Sequence, residues 1–68
     1  MNVKEIIEKV CNFWGITEEE LFGKERTNLY VKARREVSRE LRKLGLSYPS
    51  IGKILKKDHT TIIHYLKS

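Results

Sequence analysis

Apolar residues return every three or four positions along nearly all of this chain, and nowhere do they alternate as a strand requires. With only 68 residues, a core can form here only by packing several short helices against one another. Val3, Ile6, Ile7, Val10 and Trp14 predict an amphipathic helix over 2–14, with Gly15 as its left-handed stop. Thr17-Glu18-Glu19-Glu20 has the form of a capping box, and Ile16 and Leu21 occupy the positions of a hydrophobic staple. Gly23 keeps that second helix short.

Residues 24–32 read as a basic connector that turns into helix. Tyr30, Ala33, Val37, Leu41 and Leu44 share one face of a long third helix, which ends at Gly45. Arg34, Arg35, Arg39, Arg42 and Lys43 occupy its remaining surface. Leu46-Ser47-Tyr48-Pro49 opens a fourth helix, since proline loses nothing in a first turn. Lys56-Lys57 is a short break, and Asp58 suits the N-cap of a last helix reaching about Lys67. The expectation is an all-α bundle of about five helices, in a single domain over 1–68.

Charge divides the chain. Residues 1–23 hold two lysines and five acids, a net −3; residues 24–68 hold twelve Lys/Arg and four acids, a net +8. One end therefore suits a polyanion. No apolar run approaches the roughly 20 residues that cross a bilayer, and no secretory segment follows Met1. Cys11, the only cysteine, has no internal disulfide partner and is expected in the core, which fits a cytoplasmic compartment.

Two helices joined by a short turn, over about 47–67, have the outline of a helix-turn-helix, whose second helix offers its N-terminal end to the major groove. Ile62 and Leu66, flanked by Ile63 and Tyr65, should anchor the final helix, leaving Thr60, His64 and Lys67 on the opposite side. Asp58 can cap the helix or accept from a cytosine amine. His59 can donate to a purine, while Thr60 and Thr61 can bond a base edge or touch a thymine methyl.

Catalysis and metal binding fit less well. Asp58, His59 and the threonines are chain neighbours and cannot align as a relay on one helix. His59 and His64 are five apart, not the four that pairs imidazoles on one face. No GxxxxGK[ST] loop is present. No catalytic residue, metal site, cofactor, small-molecule substrate or membrane partner is expected of this chain.

Residues 33–67, with ARREVSRELRKLGLSYPSIGKIL followed by KKDHTTIIHYLK, closely resemble the C-terminal DNA-binding domain of the DnaA family of bacterial replication initiators. The likeness extends upstream through KVCNFWGITEEELFGK, residues 9–24. It implies a TrpR-like helix-turn-helix fold that binds double-stranded DnaA boxes. Position by position, it implies base contacts from Asp58, His59, Thr60 and Thr61, with Arg26 entering the minor groove. It further implies backbone contacts from Lys24, Lys32, Arg34 with Arg35 beside it, Arg42, Tyr48 and Pro49. An initiator's ATPase region would be a partner if the chain is one piece of such a protein. The chain departs from the family in a sparser basic loop and in KKDHTT where GGRDHTT is usual, one residue shorter and without glycine. A stand-alone transcriptional or phage-type regulator, or a helical protein-interaction module, would share this architecture.

Overall fold

The computed structural model describes residues 2–67, so the two end residues of the domain expected over 1–68 lie outside it. Five helices follow one another, α1 (Val3–Trp14), α2 (Glu18–Phe22), α3 (Asn28–Lys43), α4 (Tyr48–Leu55) and α5 (His59–Lys67), with no strand among the described residues. The all-α expectation is met.

Every helix start but that of α3, where Thr27 makes no side-chain capping bond, has its cap. The Asn2 side chain accepts from the Glu5 amide at 2.9 Å and opens α1. Thr17 and Glu20 form the reciprocal box at α2, at 3.1 and 2.8 Å, with Ile16 and Leu21 both buried behind it. Ser47 caps α4, with Pro49 in its first turn.

Three helices end in the same way. The amide two residues beyond the last turn reaches back five residues, Ile16 to Cys11, Leu46 to Leu41 and Lys57 to Gly52, at 3.0, 3.2 and 2.8 Å. This Schellman arrangement needs a left-handed residue at its corner. Gly15 and Gly45 supply it for α1 and α3, but in α4 the corner is Lys56, at φ 58°.

Helix α3 is the centre of the bundle and touches all four others, while α4 packs on α5. Ala33, Val37 and Leu41 on α3 meet Ile6, Ile7 and Val10 of α1, Leu21 of α2, Ile51 and Leu55 of α4, and Ile62 and Tyr65 of α5 in one cluster. Cys11 belongs to that core, and burial together with Glu18 and Glu20 raises its thiol pKa. Leu44, expected on the inward face, is 44% exposed because α3 stops at Lys43 and the chain turns away at Gly45.

Candidate nucleic-acid interface

The N-terminal end of α5 is built around Asp58. Its Oδ1 accepts from the Thr60 amide at 3.1 Å and lies 3.1 Å from His59 Nδ1. Its carbonyl accepts from Thr61 and Ile62, beginning the helix. Asp58 is thus the N-cap, and its side chain is still largely exposed, at 69%. His59 and Thr60 are exposed and Thr61 is half-buried, while Ile62 and Tyr65 anchor the helix from below. An imidazole, a hydroxyl and a carboxylate therefore crowd a helix end whose first amides are hydrogen-bond donors.

The turn before α5 is held tightly to α4. A Cβ on Gly52 would come within 2.6 Å of the Lys57 carbonyl and 3.4 Å of the His59 amide. Only a residue without a side chain permits that approach. This contact adds to the core packing that sets the position of α5 relative to α4.

The second element is the 24–27 segment between α2 and α3, where Lys24 and Arg26 are exposed. Its shape is imposed by Arg34. The Nε–H of Arg34 donates to Leu21 at 2.7 Å, Nη1 to Glu25 at 2.6 Å, and Nη2 to Gly23 and Glu20 at 2.9 and 3.1 Å, all main-chain carbonyls. The guanidinium thereby caps the C-terminus of α2, where orphan carbonyls and the helix dipole both favour a cation. Arg34 was expected beside the DNA backbone; the structure buries it to 1% exposure instead. Beside it, Ser38 is also buried and returns its hydroxyl to the Arg34 carbonyl at 2.8 Å.

Lys24, Arg26, Lys56, Lys57, Asp58 and Thr61 line one open concavity, so the basic segment and the first turn of α5 face a common space. His59 and Thr60 are not part of that lining. Lys32 is exposed on α3 and Arg35 is half-buried. Farther along α3, the Arg42 guanidinium stacks 4.7 Å from the centre of the Tyr48 ring and donates to the Leu46 carbonyl at 2.9 Å. This fixes the start of α4, where Pro49 is exposed. Lys57, read from sequence only as a turn residue, donates to the Gly23 carbonyl at 2.5 Å. Nothing in the sequence pattern ties two residues 34 positions apart. No group of three or more potential metal ligands occurs among the described residues.

Against known families, residues 3–68 match the model for the bacterial DnaA protein helix-turn-helix. The chain belongs to the bacterial DnaA helix-turn-helix family. It is 33% identical over 63 residues to chromosomal replication initiator protein DnaA 1 of Chlamydia pneumoniae, covering 91% of this chain and 14% of that protein. It is 38% identical over 65 residues to the DnaA of Thermoanaerobacter sp. strain X514, covering 94% of this chain and 15% of that protein. The DnaA of Corynebacterium jeikeium is 38% identical over 61 residues, 87% of this chain and 10% of the relative. The chain thus spans a small fraction of the DnaA relatives it matches. No solved structure matches it. The DnaA unit matched is a helix-turn-helix, a non-catalytic domain.

Proposed function

We propose that this domain binds double-stranded DNA in a sequence-dependent way, at sites like the DnaA box, and serves the initiation of chromosome replication. The observation that carries the reading is the shared concavity, in which Lys24 and Arg26 face the capped end of α5. Such an arrangement suits a duplex whose backbone lies between the two elements. The end of α5 would then enter the major groove and the 24–27 segment the neighbouring minor groove.

The roles follow from chemistry. Asp58 accepts from a base amine while it caps α5, His59 donates to a purine acceptor, and Thr60 and Thr61 meet base edges or a methyl group. Arg26 senses minor-groove width or A·T content. Lys24, Lys32, Arg35 and Arg42 contact phosphates, and Tyr48 and Pro49 lie against the backbone at the start of α4. Arg34 acts indirectly, by shaping the segment that carries Lys24 and Arg26. The replication role, and an ATPase region working with this domain, are supported by relatives that are chromosomal replication initiators.

Fluorescence anisotropy against a DnaA-box duplex and a scrambled duplex, at two salt concentrations, tests the proposal. With these four cations on phosphate and Arg26 in the minor groove, log K should fall with log salt at a slope of roughly −4 to −5, and the box should bind more tightly at both salts. Equal affinity for the two duplexes would overturn sequence-dependent binding. Absence of binding at low salt would overturn the DNA reading altogether.

A further inference from the structure

Lys57 has an unusual setting for a lysine in a basic protein. Its main chain is pinned to α4, with the amide on the Gly52 carbonyl at 2.8 Å and its own carbonyl in the space a Cβ on Gly52 would need. Its side chain does not run out into water, as lysines usually do. It turns back across the concavity, half-buried, and its ammonium donates to the Gly23 carbonyl at 2.5 Å.

That same carbonyl accepts from Arg34 Nη2 at 2.9 Å. Two cations therefore use the two lone pairs of one oxygen. The arrangement is electrostatically unfavourable for Lys57, whose ammonium pKa is lowered by burial, then by Arg34 and Lys24. What offsets the cost is the end of α2, where a main-chain acceptor and the negative pole of the helix coincide.

The chain positions of the two partners give the contact its meaning. Gly23 immediately precedes the 24–27 segment, and Lys57 immediately precedes Asp58, the cap of α5. One side chain thus spans the gap between the two elements proposed to enter adjacent grooves. Of the described bonds between side chains and main chain, this one joins the α4–α5 turn to the α2–α3 connection.

We propose that Lys57 is a positioning residue that fixes the spacing between the 24–27 segment and the N-terminal end of α5, with its ammonium engaged by Gly23 and not by DNA phosphate. The inference rests on the DNA reading above for its consequence, but the brace itself is a property of the free protein. Lys57→Met keeps an unbranched side chain one atom shorter and removes the donor. Lys57→Arg keeps a donor able to reach the same carbonyl.

The first measurement needs no DNA. Backbone ¹⁵N order parameters of residues 24–27 should lie near the rigid value of about 0.85 in the wild type and fall below about 0.6 in Lys57→Met. Lys57→Arg should restore them, and α1 and α3 should stay unchanged in both variants. Unchanged order parameters in Lys57→Met would overturn the brace. Loss of order throughout the chain would overturn it too, since Lys57 would then be a general stability residue.

The second is a double-mutant cycle with Arg26→Ala on a DnaA-box duplex. A loosened segment already forfeits the Arg26 contact, so Lys57→Met should weaken binding several-fold alone and add less than twofold in the Arg26→Ala background. The salt slope should fall by about one in the first case and not further in the second. If Lys57 contacts phosphate directly, the losses multiply and the slope falls by about one in both backgrounds, which overturns the proposal. If the wild type binds no duplex, the DNA reading fails, while the order parameters still decide whether the brace exists.

Discussion

Arg34 Nε and the Leu21 carbonyl meet at 2.7 Å in the interior, and with this bond a residue of α3 closes the end of α2. The same guanidinium donates to four carbonyls, those of Glu20, Leu21, Gly23 and Glu25, of which Glu20 also accepts from the Gly23 amide and Gly23 from Lys57. Arg34→Ala strands the Leu21 and Glu25 acceptors, weakens the hold on the other two and leaves a cavity, so it should cost about 3 kcal/mol or more. A domain of this size has a total stability of roughly 3–10 kcal/mol, so the variant should be partly unfolded at 37 °C. Lys cannot fork to four carbonyls, and Arg34→Lys should recover less than half of the loss. Urea denaturation followed by circular dichroism reads both; a midpoint within error of wild type for Arg34→Ala would contradict the capping role.

Gly52 is the second point where the backbone leaves no choice. The Lys57 carbonyl, 2.6 Å from the site of a Cβ, is main chain and cannot swing aside like a side-chain end. Gly52→Ala should therefore push the turn and the start of α5 away from α4, at about 1–3 kcal/mol. Amide chemical shifts should change most at residues 57–60. Shifts confined to the immediate neighbours of residue 52 would show that the approach is less constrained.

Lys56 presents the opposite case, a side chain where none is wanted. At φ 58° and ψ 41° it holds the left-handed corner that Gly15 and Gly45 hold elsewhere. That conformation costs a non-glycine residue about 1–2 kcal/mol, partly offset because glycine raises the entropy of the unfolded chain by about 0.4–1 kcal/mol. Lys56→Gly should thus stabilise the domain by about 0.5–1 kcal/mol. Lys56→Val, β-branched and poorly suited to the left-handed region, should destabilise it by more than about 1 kcal/mol. Thermal melts of the pair check the sign, and a stabilising valine would refute it.

Sequence pattern carried most of the architecture, because caps and stops are local. Gly15, the Thr17–Glu20 box, Ser47 before Pro49, and Asp58 each act within four residues of their own position, and each is where the pattern puts it. What stayed illegible is long-range. Arg34 sits among arginines on the helical wheel of α3, and only the end of α2, 9 to 14 residues upstream, makes it an interior residue. Ser38 follows it inward. Lys57 and Gly23 are 34 residues apart, and a turn lysine has no pattern that announces a partner. Gly52 fits helical periodicity and gives no sign of the backbone pressed against it. The site residues of α5 followed from the helix-turn-helix outline and their chemistry, and the remaining ones from a family motif. Even so, the motif did not separate arginines offered to solvent from the one that holds the loop.

Acid should weaken the fold through Glu20. The Tyr30 hydroxyl, first, and the Thr17 amide donate to its carboxylate and hold its pKa below the usual glutamate range. A carboxyl depressed in the folded state stabilises above its unfolded pKa, about 4.3, and loses that contribution as pH falls through the folded value. The melting temperature should accordingly drop on going from about pH 5 to pH 3. Glu20→Gln cannot titrate there, so its melting temperature should be lower at pH 7 and fall less over the same window. A pH dependence identical to wild type would remove Glu20 from the account.

His59 tests base reading most directly, because its imidazole is exposed and contributes nothing to the buried core. Its polar contact is with Asp58, itself exposed, so removing the ring should leave the melting temperature within about 4 °C, as for ordinary surface substitutions. On DNA the outcome should differ. A side chain that discriminates between base pairs is worth about 1–3 kcal/mol against the wrong base. His59→Ala should lose about that much affinity for the box, little for a scrambled duplex, and keep the salt slope, since no phosphate contact is removed. Arg26→Ala, by contrast, should lower the slope by about one. Anisotropy titrations of both variants on both duplexes separate the two roles. Wild-type affinity of His59→Ala for the box would take His59 out of the reading head and leave Asp58, Thr60 and Thr61 to carry it.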